Sequence, residues 1–186
     1  MVSAAEVEPV ASGVFLWRAY DPSIKTELFS TGLTITSGTY LIDPISLAPG
    51  AVGALTNVGG IIVTNENHER AGSDFAEQFR VPVYSGASPS FPAGLTAISI
   101  EGAAPGEMAV HSTVAGGVMV IGDALINFDP YGFTFLPAKY CTNHKLMRRS
   151  LAKLLDYSFE RMLFAHGTPI QSRANERLAA LLKGEQ

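Results

Sequence analysis

The chain has 186 residues, 47% of them hydrophobic and only 16% charged, which is enough apolar side chain for one sizeable core. A net charge of −4 without any lysine or arginine run excludes a nucleic-acid surface, and no apolar stretch of about 18 residues is present to cross a bilayer. The acidic start, residues 1–8, lacks the apolar centre of a secretory signal, and the single Cys141 permits no internal disulfide, which together suit a reducing cytoplasm.

Residues 13–20 and 27–36 are rich in β-branched and aromatic side chains and are separated by a Pro-containing turn, so they read as two strands. A strand at 39–44 ends in Asp43-Pro44, a common signal for leaving a strand into a turn. The apolar run 60–63 leads into Thr64-Asn65-Glu66-Asn67-His68-Glu69-Arg70. After it Ala71, Phe75, Ala76 and Phe79 recur at helical spacing and predict a helix over 69–79. Val81-Pro82-Val83-Tyr84 is a short strand whose proline places it at an edge or a first position. Strands at 95–100, 107–113 and 117–121 follow, the last two joined in a hairpin by Ala115-Gly116-Gly117.

Residues 128–140 carry Phe128, Tyr131, Phe133, Phe135 and Tyr140 among prolines and a glycine. They read as a loop that walls a pocket, forms a contact in a homo-oligomer, or caps the core. A helix over 145–157, capped by Thr142 or Asn143, buries Met147, Leu151, Leu154 and Leu155 and turns Lys145, Arg148, Arg149 and Lys153 to solvent. A strand at 162–165 precedes a last helix, capped by Ser172 and stopped by Gly184, with Ala174, Leu178, Leu181 and Leu182 inward. No repeat or linker interrupts the pattern. It predicts a single domain, 1–186, of the α/β (α+β) class, with two mixed sheets face to face and helices outside.

Five segments resemble, in the right order, landmarks of the metallo-β-lactamase superfamily. Thr64 to Arg70 resembles its Thr-His-x-His-x-Asp-His loop, which supplies ligands to two zinc ions. The strand ending in Asp43 resembles an early strand of that family. Gly102-Ala103-Ala104-Pro105-Gly106 resembles its Gly-His-Thr-Pro-Gly turn, Gly122-Asp123 its Gly-Asp, and Ala165-His166-Gly167 its Gly-His-Gly. The resemblance spans roughly 13–170 and implies a four-layer αββα sandwich. It also implies a metal site with most of its histidines replaced: Asn65, Asn67 and Ala103 stand at the first metal's positions, and Glu69, Arg70, Asp123 and His166 at the second's.

A carboxamide is a poor zinc ligand and a guanidinium is none, so the dinuclear site is expected to be lost, leaving no cofactor and no family-type hydrolysis. The expected pocket comprises Asp43, Asn65, Asn67, Glu69, Arg70, Ala103, Asp123 and His166, kept for a small ligand or a regulatory role. Arg70 is expected to turn inward and reach Asp123 as a substitute for the metal charge. Asp43 is expected to support the ligand loop through hydrogen bonds.

The alternative is one divalent metal (zinc, manganese or iron) held by Glu69, Asp123 and His166 in a hydrolase of an ester, thioester or phosphoester. A third reading is an oligomeric interaction protein using 128–140. If 65–69 is extended, Asn65, Asn67 and Glu69 share one side, which leaves His68 a surface or packing histidine. His111 and His144 fall outside every motif and read as ordinary, and Cys141 as a packed or interface thiol. Histidine at 65, 67, 70 and 103 together is expected to rebuild a zinc site.

Overall fold

The computed structural model describes residues 2–86, 88 and 90–184. Its first half contains β1 (Ser3–Ala4), β2 (Glu8–Ala11), β3 (Val14–Asp21), β4 (Thr26–Ile35), β5 (Gly38–Ile42) and β6 (Ser46–Leu47). The short turn α1 (Pro49–Val52), β7 (Val58–Ile62), helix α2 (Gly72–Phe79) and β8 (Val83–Tyr84) complete it. The second half adds β9 (Leu95–Ser99), β10 (Met108–Ser112), β11 (Val118–Ile121), β12 (Leu125–Phe128) and β13 (Gly132–Phe135). Helix α3 (His144–Leu151), β14 (Arg161–Phe164) and helix α4 (Ala174–Lys183) close the chain.

A six-stranded mixed sheet has the order β2-β3-β4-β5-β7-β8, and a four-stranded mixed sheet the order β14-β11-β10-β9. Strand alternation builds three apolar layers from these two sheets. Tyr40, Ile42 and Ile62 of the first sheet meet Met108, Val110, Val120 and Leu163 of the second, which fills the space between them. The intervening residues face outward: Leu41 and Ile61 pack on Phe75 of α2, and Ala109, Met119, Met162 and Phe164 pack on Met147 of α3 and Leu178 of α4. The result is a four-layer αββα sandwich, as the strand pattern and the family resemblance implied. No helix among the described residues is long and apolar enough to cross a membrane.

Three local readings are corrected. Residues 128–140 are not a loop throughout: β13 pairs antiparallel with β12, and Phe133 and Phe135 pack against the outer core while Tyr131 and Tyr140 stay exposed. The helix expected over 145–157 is α3 followed by a 3-10 segment at Ala152–Asp156. The rotation between the two leaves Leu154 buried and Leu155 exposed. Asn143 is its cap, accepting from the Leu146 amide at 3.0 Å. Ser172 does not cap α4, whose N-cap position is held by Arg173 in a left-handed conformation, while Gly184 stops it as expected. The strand β8 does lie at a sheet edge.

Candidate functional site

The site lies where β5, β7, β11 and β14 end, the place at which parallel strands deliver side chains into a common crevice. Asp43 follows β5, Thr64 to Arg70 follow β7, Asp123 follows β11 and His166 follows β14. Glu107 immediately precedes β10 beside them. Gly122 precedes Asp123 because a Cβ there would meet Thr64 Oγ1 at 2.6 Å and Glu107 Oε1 at 2.8 Å.

Asp43 is buried and organises the loop: it accepts from the Thr64 amide at 2.8 Å and from the Thr64 hydroxyl at 2.5 Å. Its other contact is His68, whose Nδ1 lies 2.9 Å from Oδ2. The opposite ring nitrogen, Nε2, lies 3.2 Å from Asp123 Oδ1, and His166 Nε2 approaches the same oxygen at 3.3 Å. Asn65 donates to Glu107 at 2.7 Å and to Asp123 Oδ2 at 3.2 Å. Glu107 is buried and also accepts from the Ala124 amide at 2.9 Å.

The expectation for His68 is therefore overturned. The loop is not extended: the Asn67 amide donates to the Asn65 side chain at 2.9 Å, and the His68 amide to the Asn65 carbonyl at 3.1 Å. This Asx turn breaks the two-residue alternation and swings His68 to the same side as Asn65. Glu69 leaves the site instead. Its carboxylate is exposed and accepts from the Ser73 amide and hydroxyl, at 2.9 and 2.5 Å, at the start of α2.

Arg70 does turn inward, with φ at 46°, but it does not hydrogen-bond Asp123. Its Nη1 donates to the carbonyls of Phe29 at 2.7 Å and Asp43 at 3.0 Å, while Nη2 is buried without a hydrogen-bond partner among the described residues. Ala103 is fully buried in the outer core, and its neighbour Ala104 reaches the cavity instead. Asn67 is exposed at the cavity edge. Glu107 escaped the sequence reading, and the one available signal was a carboxylate in phase with the core residue Ala109 at the start of an apolar strand.

The charges are strongly coupled. Burial opposes charge on His68, but Asp43 and the hydrogen bonds to Asp123 and Asp43 outweigh it and push its pKa up to about 9. Burial would raise Asp123 and Asp43, yet their histidine contacts hold both carboxyls below the usual range. Glu107 goes the other way: burial and the charge on Asp123 push it up to about 8, against the bonds from Ala124 and Asn65. Burial draws Arg70 below its ordinary value while Asp43 and Asp123 oppose the shift. At neutral pH the two ionised aspartates thus face two cations, His68 and Arg70, with Glu107 held neutral.

A cavity of about 480 Å³ opens over this cluster, with Asp123 and His166 in its lining. Ile126, Phe128 and Leu136 supply apolar wall, and Tyr131, Lys139 and Tyr140 stand at the exposed end.

The residues that stand at the first metal's positions in the resembling family carry no imidazole. At the three positions of the first metal the Asn65 amide is bound to two carboxylates, Asn67 is exposed and Ala103 is a core methyl. What remains is His68, Asp123 and His166, whose ligand atoms all lie within 4.8 Å of one another.

No family model matches this chain, and no curated protein does either. Solved structures match over nearly its whole length. It is 11% identical to DIM-1 metallo-β-lactamase with a TM-score of 0.74 and 100% of both chains covered. A metallo-β-lactamase from Pontibacter korlensis is 15% identical with a TM-score of 0.69, covering 96% of this chain and 98% of that one. The mono-zinc form of FIM-1 from Pseudomonas aeruginosa is 12% identical with a TM-score of 0.68, at 98% and 96% coverage. The chain has the metallo-β-lactamase fold.

Proposed function

We propose that this protein uses the metallo-β-lactamase fold to bind a small molecule and does not perform the dinuclear zinc hydrolysis associated with that fold. The observation that carries this reading is the replacement of imidazole by Asn65, Asn67 and Ala103, together with the commitment of Asn65 to Glu107 and Asp123. Charge that two metal ions would balance is balanced from within, by His68 between Asp43 and Asp123 and by Arg70 behind them. The cavity then serves binding, in a ligand-sensing or regulatory role. Metal analysis of protein purified without chelator and dialysed is the test: far less than one zinc, manganese or iron per chain is expected. Near-stoichiometric metal would overturn the reading.

The convergence of His68, Asp123 and His166 favours a second reading, a hydrolase with one divalent ion. His68 takes the place expected of Glu69 in that set. Two imidazoles and a carboxylate would hold such an ion, with Asp43 orienting His68, and it would supply Lewis acidity. Metal bound in wild type and lost in His68→Ala would select this reading over the first.

A further inference from the structure

The cavity over Asp123 differs in character at its two ends, and that difference points to the ligand it takes. Asp123 has about four lone-pair positions. His68 and His166 both approach Oδ1, whereas among the described residues Oδ2 receives only the Asn65 amide. One acceptor position on Oδ2 is therefore open, on a side chain that lines the cavity and stays 16% exposed.

The other end is aromatic. Phe128 and Tyr131 meet edge to face at 5.7 Å, and Tyr140 belongs to the same lining. Of six large hydrophobic side chains that are exposed among the described residues, Ile24, Tyr131 and Tyr140 line this one cavity, and Tyr20 lines the adjoining one with Tyr131. Such clustering marks a binding surface rather than scattered surface residues. The lone lysine of the lining, Lys139, holds its ammonium 4.7 Å from the centre of the Tyr140 ring, so the ring already receives a cation.

We propose that the cavity binds a small primary amine with an aromatic or branched apolar body, its ammonium donating to Asp123 Oδ2 and its body lying against Phe128, Tyr131 and Tyr140. An anionic head is rejected, because it would meet the Asp123 carboxylate directly, while His68 and Arg70 lie outside the cavity lining and Lys139 stands at an exposed position. An uncharged hydroxyl head fits the same acceptor through a weaker bond. This inference deepens the small-molecule reading of the site and rests on it.

Phenethylamine, phenethyl alcohol and phenylacetate share one body and differ in the head, so titrating each into the intact protein at neutral pH, followed by ligand-observed NMR, tests the head and the body separately. The expected order is amine, then alcohol, with phenylacetate weaker than the amine by roughly tenfold or more. Tyr131→Ala, at an exposed position, weakens amine and alcohol alike, and Asp123→Asn removes the advantage of the amine. Equal binding of all three heads, or preference for phenylacetate, overturns the amine assignment and leaves the small-molecule reading standing. Binding of none of the three, or binding unchanged in Tyr131→Ala, removes this cavity as the ligand site, a result independent of metal content.

Discussion

His68 leans on Asp43: Nδ1 lies 2.9 Å from Oδ2, with both side chains at most 4% exposed. Asp123 flanks the other ring nitrogen, so among the described residues His68 is the one side chain that touches both Asp43 and Asp123. Removing one partner of a buried charged pair leaves the other unpaired, which costs far more than the pair contributes when intact. His68→Ala is expected to lower stability by about 3 kcal/mol, read from urea unfolding. Lys145→Ala, at an exposed position of α3, is the contrast and stays within about 0.5 kcal/mol. Equal stability of the two variants would refute the role given to His68.

Arg70 makes a different prediction from the one its sequence position suggested. It was expected to reach Asp123, yet its hydrogen bonds tie the carbonyls of Phe29 and Asp43 together across β4 and the end of β5. Those carbonyls are left without this donor in Arg70→Ala, at a cost of about 2 to 3 kcal/mol for a charged donor. Arg70→Lys keeps the charge but not the planar fork, and recovers only part of the loss. Zinc added to Arg70→Ala restores nothing. A Tm for Arg70→Ala equal to wild type would place the guanidinium in solvent.

Much of the fold was legible because its signals are periodic. The short apolar runs at 107–113 and 117–121, joined by a glycine turn, located the two central strands of the second sheet, and the helical spacing of Phe75 and Phe79 located α2. The site was legible in part. Asp43, Asn65, Asp123 and His166 do converge, since each follows a strand that the sheets align. His68 was misplaced because a side-chain-to-backbone turn at Asn65 overrides alternation, and nothing in the residue order shows that the turn closes. Glu69 was misplaced for the same reason: once the loop turns, its carboxylate lies in reach of Ser73. Glu107 carries no spacing signal toward Asn65, 42 residues away, and only the packed sheets bring the two together.

The geometry also revises what histidine restoration would do. Ala103 packs in the cluster that contains Ala124 and Met147, and its carbonyl accepts from Thr142. An imidazole there must enter a filled core, at about 1 to 3 kcal/mol for overpacking plus the burial of a polar ring. Ala103→His is thus expected to destabilise, and the change to histidine at 65, 67, 70 and 103 together to unfold rather than to bind zinc. Asn67→His, at an exposed position, is tolerated. A folded quadruple variant with two zinc ions per chain, by metal analysis and circular dichroism, would contradict this.

The last prediction is the pH dependence of stability, which the cluster makes unusual. His68 has a pKa of about 9 in the fold against 6.5 for an ordinary histidine, so its contribution is complete below pH 6.5 and lost as pH rises through 9. Glu107 holds a proton to about pH 8 in the fold, whereas the unfolded chain releases it near 4.5. Between those values the native state binds more protons than the unfolded chain, and the sign of the linkage makes stability fall as pH rises. Asp43 and Asp123 act in the opposite sense, since their lowered pKa values stabilise above the ordinary carboxyl range and that contribution is lost in acid. Stability should therefore peak near pH 5, at the acid end of the usual range of about 5 to 8, and decline toward pH 9. Glu107→Gln replaces the carboxyl by a neutral group and should flatten the decline below pH 6.5, leaving the later fall that belongs to His68. Urea midpoints measured across this range decide it: a midpoint that rises from pH 5 to 8 would show that neither group holds its proton in the fold, and a Glu107→Gln profile parallel to wild type would show that Glu107 does not.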